Sequence, residues 1–189
     1  MEIQKSWYDL NLSNTNALRQ DWVFPEEPLV QGQWTLKPEQ IFNPVWIEYC
    51  KTKGIHLLGD VMLFYKAPLL NSHRAHVDLN EYSHTTWALN WCLTEDSGMM
   101  CWYNKPTEQN KKIYPSKDNR YIEWDTRELE LIDQKEIKQH IVICRVDLPH
   151  SIKCGKDPRW CISIRAWVGG EEMPEWDYVV DKFKHMELI

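Results

Sequence analysis

Between Thr85 and Leu93 the side chains alternate in bulk: Trp87, Leu89, Trp91 and Leu93 fall on one side, Thr86, Ala88, Asn90 and Cys92 on the other. Alternation of period two is the signature of a strand, whose successive side chains point to opposite faces. One face must enter a bulky core, and the other is small enough to border a cavity. Arg159–Val168 repeats the pattern, with Trp160, Ile162, Ile164 and Ala166 opposed by Arg159, Cys161, Ser163 and Arg165. The first set is core. The second needs either acids on a surface or an anion in an interior, because two aligned guanidinium groups require negative partners.

Other segments fit a sheet-rich chain. Val61–Tyr65 is a short apolar run ended by Lys66-Ala67-Pro68, and His76–Leu79 is a short polar one. Met99–Tyr103 reads as a strand returning from a turn at Thr94–Gly98, and Ile141–Leu148 as a strand ending at Pro149-His150. Tyr121–Trp124 and Glu128–Ile132 are expected to pair. Residues 104–120 are polar, lysine-rich and interrupted by Pro106 and Pro115, which predicts a mobile loop. One helix should start at Asn43-Pro44, bury Trp46, Ile47 and Cys50, and stop at Gly54. A short helix is expected over 175–184, after the Gly169-Gly170 end of the last strand.

The expectation is one domain: an N-terminal irregular wrap and helix (1–56), a barrel core (57–168) and a C-terminal extension (169–189). Many short strands flanked by helices favour a mainly-β sandwich or barrel over a parallel α/β sheet. The 11 Trp imply a large aromatic core or aromatic cavity walls. A formal net charge of −6 offers no footprint for a phosphate backbone, so nucleic acid is disfavoured as a partner. No apolar run approaches transmembrane length, and the first residues lack a signal-peptide core, so the chain reads as cytoplasmic. Its 6 Cys include no CxxC pair, which argues against structural zinc and for a reduced, intracellular setting. Oligomeric state leaves no signature.

His76-Val77-Asp78 carries the chemistry. In an extended segment His76 and Asp78 share a face, while Val77 points the other way. A third ligand must come from another strand, and His150 beside Pro149 is placed to supply it. Two imidazoles and a carboxylate can hold one side of a ferrous ion and leave the opposite positions open. By itself the HxD pair reads more readily as a surface His and Asp in a loop. Arg159, nine residues past His150, adds a cation suited to a bidentate carboxylate.

Residues 58–168 resemble the Fe(II)/2-oxoglutarate-dependent oxygenases, notably the small prolyl-hydroxylase-like and asparaginyl-hydroxylase-like branches. The resemblance rests on Phe64-Tyr65, His76-Val-Asp78, Ala88–Leu93 with the Gly98 turn, Leu148-Pro149-His150 and Arg159–Ser163. It implies a double-stranded β-helix (jelly-roll, cupin-like) barrel using Fe(II), 2-oxoglutarate and O2. His76, Asp78 and His150 would be the catalytic metal ligands, and Arg159 the anchor for the far carboxylate of 2-oxoglutarate. Arg165, Ser163, Tyr65 and Asn90 are further cosubstrate candidates, and Trp102 and Tyr103 candidate substrate walls. The expected reaction is hydroxylation of a C–H bond, on a peptide or protein side chain in preference to a small molecule, with loop 104–120 as a lid. A Trp-rich, non-catalytic binding barrel and a metal-dependent cupin enzyme without 2-oxoglutarate are the competing readings.

Overall fold

The computed structural model describes residues 5–12, 16–71, 73–78, 86–104, 112–115, 120–168 and 174–189. The N-terminal segment contributes β1 (Trp7–Asp9) and β2 (Gln31–Leu36), where an irregular wrap was predicted. Two helices follow, α1 (Pro38–Ile41) and α2 (Pro44–Thr52). The Asn43 side chain caps α2 by accepting from the Val45 N–H, and Gly54 at φ +74 ends it. The chain continues through β3 (Ile55–Lys66), β4 (Arg74–Val77), β5 (Trp87–Cys92) and β6 (Met99–Tyr103). Next come β7 (Lys112–Pro115), β8 (Arg120–Asp125), β9 (Leu131–Glu136) and β10 (Ile141–Arg145). It ends with β11 (His150–Lys153), β12 (Arg159–Val168) and α3 (Trp176–His185).

The fold is mainly β, in two antiparallel six-stranded sheets ordered β1-β10-β5-β12-β3-β2 and β7-β8-β4-β11-β6-β9. A double-stranded β-helix barrel was expected; among the described residues no ladder joins the two sheets into a closed barrel, and each ends in edge strands. The crossings β3 to β4 and β10 to β11 run through Pro68 and Pro149, which have no N–H to extend a ladder.

The strand alternation read from the sequence is what builds the layers. Trp87, Leu89, Trp91, Trp160, Ile162 and Ile164 project from one face of the first sheet into a core shared with Phe42, Trp46, Trp176 and Phe183. The other face presents Ala88, Cys92, Cys144 and Cys161, which pack with Met100 and Trp102 of the second sheet.

Three connections differ from expectation. β6 does not return beside β5 but crosses to the second sheet, between β9 and β11. Its preceding turn is drawn away: the Asp96 and Asp157 N–H groups bond across to each other's residues, and the Thr94 hydroxyl donates to the Pro158 carbonyl. β8 and β9 do not pair with each other, because a 3-10 turn at Thr126–Glu128, capped by Asp125, sends them to different positions in the second sheet. β10 stops at Arg145, so His150 opens β11 instead of closing the strand before it. Gly169-Gly170 and most of the expected loop, residues 105–111 and 116–119, lie outside the described residues.

Gly98 holds this connection. Its φ of +95 is a left-handed conformation, and a Cβ there would overlap the Lys153 carbonyl and the backbone around Gly155. Gly98→Ala is expected to lower unfolding free energy by about 2–4 kcal/mol, from backbone strain plus overlap, as measured by urea denaturation. A change below about 0.5 kcal/mol would mean that the turn does not pin the start of β12.

Candidate metal centre

The pairing of β4 with β11 sets His76 directly opposite His150, with ring centroids 4.5 Å apart. Asp78 follows β4 immediately, and its N–H bonds to the Val146 carbonyl just past β10. Asp78 Oδ1 lies 3.4 Å from His76 Nε2 and 3.6 Å from His150 Nε2. Ligand atoms of the three residues fall within 4.8 Å of one another. A divalent cation can be held at such a cluster by two nitrogens and one oxygen.

The supporting contacts fit that use. His150 Nδ1 stands 2.9 Å from the Leu148 carbonyl, which accepts its proton and leaves Nε2 with a free lone pair. Burial, then the neighbouring His76, push His150 down to about 4, so it is neutral near pH 7. Burial alone would raise the Asp78 pKa. The hydrogen bond with His76 and the charges of His150 and Arg165 outweigh it and hold the carboxyl well below the usual range. His150 and Asp78 therefore meet a metal with their donor atoms already deprotonated.

Arg165 was expected to face a cosubstrate, and here it pairs with Asp78. Its Nη2 donates to Asp78 Oδ2 at 2.7 Å, while Nη1 points to the Ser163 hydroxyl oxygen at 3.4 Å. One carboxylate oxygen is thus occupied, and Oδ1 is left for the metal. This role could not be read from sequence, since it depends on a contact between the two sheets.

Arg159 is buried, and among the described residues its Nη1 has no hydrogen-bond partner. It shares its strand face with Cys161, which packs in the inter-sheet core. Asn90 lies on the same side, opposite Ser163 in register. Among the described residues its Nδ2 meets the sulfur atoms of Cys144 and Met100, and its Oδ1 has no partner. Trp102 stands next to His150 in register, fully buried, with its indole N–H on the Arg145 carbonyl.

Two candidates are placed elsewhere. Tyr65 pairs in register with Trp160 and packs against its ring at 4.8 Å, on the helix-covered face of the first sheet. Strand parity decides this: Phe64, not Tyr65, shares the face of Cys161. Tyr103 points to the opposite side of β6 from Trp102, in a small cluster with Ala75 and Cys101, its hydroxyl 3.0 Å from that of Ser151.

Two outcomes follow from the electrostatics. The folded-state pKa of His150 lies below the ordinary histidine value, so between about pH 6.5 and 4 the unfolded chain binds more protons. The stability present at neutral pH should fall by on the order of 3 kcal/mol across that window, and His150→Gln should flatten the slope in urea titrations of metal-free protein. Arg165→Gln removes a positive charge beside Asp78 and should tighten Co(II) binding about fivefold, roughly 1 kcal/mol, in competition titrations. Weaker binding would mean that holding the carboxylate in place outweighs repulsion of the metal.

Among the described residues no helix is long and apolar enough to cross a membrane. No protein-family model, no curated protein and no solved structure matches this chain.

Proposed function

We propose that this protein is an Fe(II)- and 2-oxoglutarate-dependent dioxygenase that hydroxylates a C–H bond, with a peptide or protein side chain as its preferred substrate. The observation that carries the reading is one arrangement. A His-Asp-His group able to hold a metal, and a buried Arg159 whose Nη1 has no hydrogen-bond partner among the described residues, both belong to the space between the sheets. Strand order supports a double-stranded β-helix. β3, β4, β5 and β6 alternate between the two sheets, and β9 to β12 do so again.

On this reading His76, His150 through Nε2 and Asp78 through Oδ1 hold Fe(II). Bound Fe(II) supplies O2 chemistry in which 2-oxoglutarate is decarboxylated to succinate and CO2 while a substrate C–H becomes C–OH. Arg159 binds the far carboxylate of 2-oxoglutarate, and its burial strengthens that contact by excluding competing water. Arg165 keeps Asp78 to one available oxygen. The Trp102 ring fills the space beside His150 and keeps that side dry. The peptide preference comes from the branches that the sequence resembles.

The tryptophan-rich binding barrel loses its main support, because seven of the 11 Trp are buried and the other four are half-buried. A metal-dependent cupin without 2-oxoglutarate leaves the buried Arg159 unexplained. Anaerobic addition of Fe(II) and 2-oxoglutarate should give a weak visible charge-transfer band, and admission of air should release succinate. Arg159→Ala should weaken 2-oxoglutarate binding by about 30-fold or more, the loss of a buried charge-assisted pair. Absence of both the band and succinate would sink the oxygenase reading.

A further inference from the structure

We propose that Lys66 and Arg159 form a single anion seat that takes the carboxylate at the far end of a dicarboxylate ligand. The two residues stand directly opposite in register on β3 and β12, so their side chains leave the same face of the first sheet. Like charges in that position repel, and burial adds to the cost. Arg159 is buried and Lys66 half-buried. Among the described residues every ion pair of an arginine or lysine involves some other cation, and Arg159 Nη1 has no hydrogen-bond partner at all.

Thiols lie within electrostatic reach of the pair, those of Cys154 and Cys161 acting on Lys66 and those of Cys92, Cys161, Cys154 and Cys144 on Arg159. Burial, with Arg159 adding to it, pulls the Lys66 ammonium below its ordinary range. Two uncompensated cations held together in an interior are the electrostatics of a site completed by an anionic ligand. The planar guanidinium and the ammonium can share the two oxygens of one carboxylate.

The pairing of the two cations is independent of iron; the choice of a dicarboxylate rests on the oxygenase reading. The test uses thermal unfolding of the metal-free full chain with glutarate or inorganic phosphate, for wild type, Lys66→Met and Lys66→Arg. Glutarate should stabilise wild type and Lys66→Arg. Lys66→Met should unfold at a higher temperature than wild type without ligand, since repulsion is gone. It should also need about tenfold more glutarate for the same shift, the loss of one charge-assisted contact.

The seat is overturned if Lys66→Met responds to glutarate as wild type does, or if unliganded Lys66→Met is the less stable protein. It is overturned equally if phosphate stabilises wild type and glutarate does not, or if neither does. A 2-oxoglutarate band of unchanged affinity in Lys66→Met would remove the seat and leave the oxygenase reading standing. A Lys66-dependent glutarate response with no band in wild type would do the reverse.

Discussion

The pairing of β12 between β3 and β5 is the constraint on which the rest of the structure depends. Ten residues of extended chain, paired along their length with β3 and over Cys161–Ile164 with β5, hold each side chain to one face. Trp160, Ile162 and Ile164 go outward under the helices, where their burial supplies much of the driving force for docking them. Arg159, Cys161, Ser163 and Arg165 are thereby forced inward. The cost of desolvating two guanidinium groups is met by the same strand that contributes three apolar anchors.

Those inward cations have different fates. Arg165 reaches across to Asp78 at 2.7 Å, linking the last strand of the first sheet to the end of β4. Among the described residues Arg159 finds no acid, and Lys66 opposite it adds a second positive charge. One cation pairs with Asp78 and two stand together without an acid among the described residues, so a candidate metal centre and a pair of like charges share one layer of side chains. Stability is conceded at the second of these, since the protein keeps like charges together where apolar residues would pack better.

Short-range patterns were readable because they are enforced locally. The alternation of β5 and β12 follows from the backbone pleat, and the start of α2 follows from Asn43 and Pro44, whose capping needs no distant partner. Sheet assignment was not readable. β6 follows a turn that suits a hairpin with β5, yet contacts between residues 94–98 and 153–158 send it to the other sheet. Tyr65 was misplaced for a related reason. A one-residue change of parity moves a side chain through the sheet, and the run Val61–Tyr65 is apolar on both sides.

The sequence by itself determined the inventory of the candidate centre. His76 and Asp78 share a face by virtue of their spacing, and Arg159 sits on the polar face of a strand whose reverse is core. Tertiary structure decided which of these groups meet. The register of β4 on β11 brings His76 to His150, the stacking of the sheets gives Arg165 to Asp78, and the register of β3 on β12 puts Lys66 beside Arg159. Such meetings depend on backbone hydrogen bonds between segments tens of residues apart, and those bonds are blind to side-chain identity.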